Sequence, residues 1–128
     1  MKWGEYEKNY WGKIGENSDD VILNFGTPID IDYEETCFEM HYNGMDVLCY
    51  SNGTTYLADI FDSNLRFGIL NIGVGSPRKL VESIFVFKKR IIDVGENEYG
   101  IVDGINTVVF EYDQDDKVKR MYISRWYY

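Results

Sequence analysis

The chain has few of the residues that mark several common classes of protein. Among its 128 residues there are two prolines, two cysteines and one histidine. Two cysteines exclude a disulfide-dense scaffold, and the lack of a Cys-x-x-Cys pair excludes structural zinc held by thiolates. The single histidine, His41, would have to serve any Ser–His or Cys–His catalytic pair. Two prolines beside 45% hydrophobic residues exclude an intrinsically disordered chain.

Long apolar segments are also lacking. The longest apolar runs are about four residues, as at 84–87, which is too short to span a bilayer. Charged and polar residues, rather than an apolar segment, follow Met1-Lys2-Trp3, so no secretory signal is predicted. If Met1 is the native start, we expect a cytoplasmic protein with no membrane partner. The alternative is an envelope-associated domain whose signal precedes this sequence.

Basic side chains are scarce in the first half of the chain. The net charge is −9, and residues 1–64 carry thirteen acidic side chains against three basic ones. Residues 65–128 carry nine acidic and ten basic side chains. Such a field repels nucleic acid and attracts a basic partner. We therefore predict no nucleic-acid partner. The acidic excess of the first half indicates either a basic protein partner or a need for solubility alone.

Two stretches carry helix-start signals. Ser18 and Ser76 are predicted N-caps, Pro77 suits a first helical position, and Gly26 is a stop signal. The apolar spacing predicts helices over 3–13, 19–25 and 77–88. Leu80 is expected in the core.

Strands are predicted after the second and third helices. Alternating patterns, with turn signals at Asn43-Gly44 and 113–116, indicate strands at 36–42, 46–50, 54–60, 68–72, 99–102, 107–112 and 117–126. Phe110 is expected in the core. The order of helix then strands, twice, predicts an α+β fold with one continuous or closely packed antiparallel sheet and helices on one face. The chain is predicted to be a single domain, 1–128, within which 1–70 and 71–128 are candidates for pseudo-repeats.

Two sets of segments carry a family resemblance. The second half contains Ile72-Gly73-Val74-Gly75-Ser76, Leu80-Val81, Val109-Phe110-Glu111-Tyr112 and Asp116-Lys117-Val118, and the first contains Ile14-Gly15, Ser18, Val21 and Phe38-Glu39-Met40-His41-Tyr42. These resemble the tandem helix–sheet repeat of beta-lactamase inhibitor protein and related units of small bacterial envelope lipoproteins. The resemblance implies protein binding through a concave sheet and no catalysis. The inhibitor is secreted and has disulfides, and in both respects this chain departs from it.

The candidate binding residues are mostly acidic. The predicted partner-binding residues are Asp30, Asp32, Tyr33, Glu34, Glu35 and Asp46. Carboxylates this close repel one another, so an opposite charge on a partner is a reason for their presence. We expect residues 30–35 to form a loop between helix and first strand. A solvated loop without a partner is one alternative, and carboxylate catalysis in a deep pocket is another.

No catalytic residue, metal ligand or cofactor is predicted. His41 is expected to be packed or interfacial, because Cys37 lies too far along the same strand for a hydrogen-bonded pair. Cys37 and Cys49 are expected to be free thiols in apolar surroundings. By type, an acidic one-domain chain is also similar to an immunity protein, so we expect a non-enzymatic module that neutralises a basic bacterial toxin domain. The alternative is a small-ligand-binding or envelope-associated domain of the same architecture, and the oligomeric state stays open.

Overall fold

The structure is a computed structural model. It describes residues 11–62, 64–67, 70–84, 91–92, 96–103 and 106–125. Most of the helix predicted at 3–13, the end of the helix at 77–88 and the last residue of the strand at 117–126 lie outside the described residues. Of the helix predicted at 3–13, residues 11–13 are described; they are helical, as is residue 14. No described helix is long and apolar enough to cross a membrane.

The described elements follow the order of one helix and four strands, twice. They are α1 (Ser18–Phe25), β1 (Asp30–Tyr33), β2 (Cys37–Tyr42), β3 (Met45–Tyr50), β4 (Thr55–Ile60), α2 (Arg78–Ile84), β5 (Ile91–Ile92), β6 (Glu98–Asp103), β7 (Asn106–Tyr112) and β8 (Val118–Arg125). The predicted α+β class is confirmed. The predicted turns at Asn43-Gly44 and 113–116 are both present.

All eight strands form one antiparallel sheet in the order β1-β2-β3-β4-β8-β7-β6-β5. Each half of the sheet is a four-stranded meander of neighbouring strands. The two meanders join where β4 pairs with β8, from Leu57 opposite Ser124 to Ile60 opposite Met121. Among the described strands, β1 and β5 are therefore the two edges.

The ends of α1 are set by local side-chain and backbone hydrogen bonds. The Asn17 side chain accepts a hydrogen bond from the Asp20 N–H at 3.0 Å, and Gly26, with φ of 85°, donates its N–H to the Ile22 carbonyl. The prediction that Ser18 is the N-cap is wrong by one residue. Asn is as good a cap as Ser, and the sequence offers both side by side.

α2 begins after Pro77, whose carbonyl accepts hydrogen bonds from the N–H groups of Leu80 and Val81. The Ser76 hydroxyl accepts a hydrogen bond from the Gly73 N–H at 2.9 Å and so closes the turn before the helix. Val81 is fully buried, whereas Leu80 is half-buried and packs against the core from its margin. Val81, rather than Leu80 as predicted, is therefore the fully buried core residue of this helix.

One alternating set of strand residues forms the core. A row of fully buried, register-paired side chains crosses the sheet through Met40, Val47, Ala58, Ile123, Val108 and Ile101. Val21 of α1 and Val81 of α2 belong to the same cluster, as does Phe110, whose predicted core position is confirmed. The other alternating set is largely polar, and we call its side of the sheet the polar face.

Two predictions about strands need correction. Residues 30–33 form β1 and pair with β2 rather than lying in a loop, because Ile31 and Tyr33 alternate with the aspartates and meet Met40 and Phe38. The predicted strand at 68–72 is replaced, where described, by an isolated bridge between Phe67 and Ile72. The edge strand β5 has only two residues and is not indicated by any prediction.

Candidate functional site

The polar face of the first meander carries a row of ionisable side chains. Register pairing places Asp30 opposite His41, His41 opposite Asp46, and Asp46 opposite Asp59. The two-residue turn between β2 and β3 fixes this register. Gly44 in that turn has φ of 87° and lies against the Asp62 backbone, where a side chain would not fit.

His41 joins three strands through hydrogen bonds from both of its ring nitrogens. Nδ1 lies 2.8 Å from Oδ1 of Asp46 on β3, and Nε2 lies 2.7 Å from Oδ2 of Asp32 on β1. The hydrogen bonds to Asp46 and then Asp32 raise the pKa of His41 from 6.5 to about 9. The imidazole is therefore protonated at neutral pH and donates from both nitrogens.

The negative charge around His41 exceeds what its single positive charge balances. Oε1 of Glu39 is 3.9 Å from Nδ1 of His41, so three carboxylates face one imidazolium. Burial, followed by the charges of Asp46, Asp32 and Asp59, raises the pKa of Glu39, while His41 lowers it. The cluster therefore presents a surplus of negative potential at the edge half of the sheet.

The acidic groups nearer the middle of the sheet are paired instead. Asp59 accepts hydrogen bonds from the Arg120 guanidinium at 2.8 Å and 2.5 Å. This pairing raises the pKa of Arg120. Lys119 forms an ion pair with Glu111 at 3.1 Å. The cluster on β1, β2 and β3 thus has three carboxylates for one cation, whereas Asp59 and Glu111 each have a cationic partner.

The structure brings together some of the predicted partner-binding residues and separates others. Asp32 and Asp46 meet through His41, and Asp30 lies on the same face as Asp32. Tyr33 projects to the opposite face, where its ring lies 5.8 Å from that of Phe38 and is 75% exposed.

Past the end of β1, the Glu34 carboxylate accepts a hydrogen bond from the Cys37 thiol at 3.7 Å, and Glu35 is exposed. Both cysteines are free, and burial raises the pKa of Cys49 to about 11. Sequence reasoning missed Glu39 and the role of His41, since only the strand register aligns them with residues far along the chain. The alternation Glu39–His41 opposite an Asp-rich strand was the available signal.

One trio of side chains could hold a metal ion. Glu39, His41 and Asp46 each place a ligand atom within 4.8 Å of the others, the one such group in the described part of the chain. A cation bound to a ring nitrogen of His41 would first displace the proton that this nitrogen donates to a carboxylate. At neutral pH the cluster is therefore better suited to accept hydrogen bonds from cationic side chains.

The carboxylates of residues 30–35 do not line the open depression found elsewhere in the molecule. That depression, of about 510 Å³, is lined by Phe25, Asn43, Asp62, Asn64 and Leu65. Asp30 and Glu35 are instead exposed at the sheet edge. An acid–base pair needs one carboxyl group in an enclosed apolar site, and the edge position does not provide it.

The fold has counterparts among solved structures, although no protein-family model and no curated protein sequence matches the chain. It is similar to an extracellular protein containing a SCP domain from Bacillus anthracis, with a TM-score of 0.66 and 9% identity. It is also similar to the DUF4309 family protein YjgB from Bacillus subtilis, with a TM-score of 0.58 and 17% identity. A third similar structure is a cysteine-rich secretory protein from Staphylococcus aureus, with a TM-score of 0.61 and 9% identity.

These alignments cover 88%, 94% and 94% of this chain, respectively. The chain spans less than half of the first and third structures, 44% and 47%, but 93% of YjgB. At such low identities the similarity shows the fold alone. It places this chain among α+β proteins with an antiparallel sheet.

Proposed function

We propose that this chain is a non-catalytic protein-binding module and that a basic protein binds to its acidic surface. The acidic surface consists of Asp30, Asp32, Glu34, Glu35, Glu39 and Asp46. The observation that carries the proposal is the convergence of three carboxylates on one imidazolium at the edge of the sheet. Surplus charge of one sign attracts a partner of the other sign and speeds the encounter.

Exposed apolar side chains beside this surface supply anchors that charge alone does not. Ile29, just before β1, is 76% exposed, and Tyr33, within β1, is 75% exposed. Large rings and aliphatic groups that become buried dominate binding energy, whereas charged rims govern the association rate. The edge half of the sheet offers both kinds of group together.

The more specific form of the proposal is an immunity protein that neutralises a basic bacterial toxin domain in the cytoplasm. It includes a tandem architecture similar to beta-lactamase inhibitor protein, with the helices on one face of the sheet. Support comes from the repeated order of helix and four strands, and from Val21 and Val81 joining one core cluster. The joining of the two meanders at β4 and β8 gives further support.

The test uses charge reversal at two exposed positions outside the set of carboxylates that bond or pair with His41. The double variant Asp30→Lys/Glu35→Lys is compared with Glu96→Lys/Asp115→Lys, an equal change in net charge at two exposed positions beside the second meander. The partner is the purified polypeptide encoded directly upstream in the native genome. We expect the first variant to associate several-fold more slowly at low salt, and much less so at high salt, with an unchanged melting temperature.

Two results would contradict this proposal. If the upstream polypeptide does not bind, the toxin-neutralising form fails. If it binds at low ionic strength with the same rate to both double variants and to the natural chain, the acidic surface is not its site.

A second candidate is a module of an exported or envelope-associated protein. It is favoured by two of the structural neighbours, which are described as an extracellular protein and a secretory protein. Sequencing upstream of Met1 tests it. An apolar segment or a lipidation cysteine in the same reading frame, with the natural product recovered outside the cytoplasm, would favour this candidate over a cytoplasmic inhibitor.

A further inference from the structure

The backbone of β1 has one side paired and one side free of described partners. The Glu34 N–H donates to the Cys37 carbonyl at 2.9 Å, and Cys37 lies opposite Glu34 in the continued register. Residues at even positions of an antiparallel strand then face the same neighbour, so Asp30 and Asp32 direct their backbone groups toward β2. The N–H and C=O groups of Ile31 and Tyr33 therefore point away from β2, and no described strand pairs with β1 on that side.

The two faces of this edge differ in chemistry. On the polar face, Asp30 and Asp32 are exposed, and the Asp32 side chain is 66% exposed despite its hydrogen bond to His41. On the other face, Tyr33 extends beyond the sheet and is largely exposed, and Ile31 packs against the margin of the core. A strand added at this edge would place every second side chain beside the carboxylates and the intervening ones beside the apolar groups.

We propose that the basic partner binds as an additional antiparallel strand on β1, through an extended segment in which Lys or Arg alternates with apolar residues. This inference rests on the proposed function and names the form of the ligand. The backbone groups of Ile31 and Tyr33 supply the ladder, Asp30 and Asp32 receive the cationic side chains, and the side chains of Ile31 and Tyr33 lie beside the apolar ones.

The same carboxylates disfavour the most available competitor, a second copy of this chain. Pairing β1 with β1 would bring the aspartates of two copies together, and like charges on adjacent strands are destabilising. A basic strand converts that repulsion into attraction. The carboxylates thereby disfavour self-association through β1 while the edge remains accessible to a partner of opposite charge.

The experiment uses the full chain and the labelled peptide acetyl-Lys-Val-Lys-Val-Lys-Val-Lys-amide, with binding followed by fluorescence anisotropy at low salt. In the proposed complex the valine N–H groups face β1, whereas the lysine N–H groups face outward. Methylating the nitrogens of the first two of the three valines should weaken binding at least tenfold, since it removes hydrogen bonds and blocks the approach. Methylating two central lysine nitrogens keeps the composition and charge and should change binding much less.

Variants of the protein give a second, independent readout. Tyr33→Pro removes an outward N–H without touching the ladder to β2, and Tyr33→Ala removes the same ring but keeps that N–H. Circular dichroism and melting curves establish that both variants are folded. We expect Tyr33→Pro to bind the peptide several-fold more weakly than Tyr33→Ala.

Each outcome has a distinct meaning. Equal binding of the two methylated peptides, lost at high salt, would overturn strand addition while leaving charge-driven protein binding in place. No binding of the unmodified peptide at low salt would overturn the proposed function as well. A dimer of the chain that Tyr33→Pro dissociates would assign the edge to a second copy and overturn the basic partner.

Discussion

His41 should make the stability of this protein depend on pH in the alkaline direction. The pKa of His41 is about 9 in the folded chain, against 6.5 for the free side chain, because Asp46 and Asp32 accept hydrogen bonds from its ring. The folded state therefore holds the proton more tightly than the unfolded state does. This stabilisation is complete below about pH 6.5, declines as the pH rises toward 9, and is absent above it.

The magnitude follows from the shift and from the exposure of the partners. A rise from 6.5 to about 9 corresponds to at most about 3 kcal/mol. The Asp32 side chain is 66% exposed and the His41 side chain 28%, so solvent screens part of the interaction. We therefore expect about 1 to 2 kcal/mol.

Urea unfolding of the natural chain and of His41→Gln, at pH 6 and at pH 9.5, measures this contribution. The difference in unfolding free energy between the two proteins should shrink by about 1 to 2 kcal/mol at the higher pH. As the only histidine, His41 also gives a single set of imidazole NMR signals to titrate. Asp46→Asn should lower its pKa more than Asp32→Asn does. A titration midpoint near 6.5 in the natural chain would refute the reasoning.

Two further changes test the core and the turn. Phe110→Asp buries an unpaired charge at a fully buried site and should abolish the cooperative thermal transition, whereas Leu80→Asp, at the core margin, should lower the melting temperature and leave a folded protein. Equal effects at the two positions would show that their burial does not differ. Gly44→Ala places a Cβ against the Asp62 carbonyl and should cost more than 2 kcal/mol in urea unfolding, about twice the strain of an ordinary positive-φ substitution. Gly75→Ala, with φ of 97° and open space around it, should cost only about 1 kcal/mol, and equal losses would contradict the packing argument.

Much of the sheet could be predicted because its determinants are local. The strands ending at Tyr42 and starting at Met45 follow from alternation and from the Asn43-Gly44 turn, which also fixes their register. The strand β8 also follows from an alternating pattern, although its burial alternates regularly only from Arg120 to Ile123. In these segments local propensity and tertiary packing favour the same conformation.

The edge strand and the histidine cluster could not be predicted in the same way. Aspartate is disfavoured in strands, so Asp30 and Asp32 predict a loop. In the folded chain, pairing with β2 outweighs that low strand propensity. The contacts of His41 with Asp32 and Asp46 depend on the register of three strands at once. Sequence patterns report which face a residue occupies, but not which residue of another strand lies beside it.

The junction of β4 with β8 has a consequence for how the polypeptide is made. β8 leaves the ribosome after every other described strand, yet it lies between β4 and β7 in the middle of the sheet. A nascent chain that has reached Tyr112 can complete the first meander and pair β5, β6 and β7 by short-range contacts, but β4 and β7 then remain as two unprotected edges. Until Val118 and the residues after it emerge, those edges can recruit other nascent chains, and a chain cut short before Val118 keeps them open.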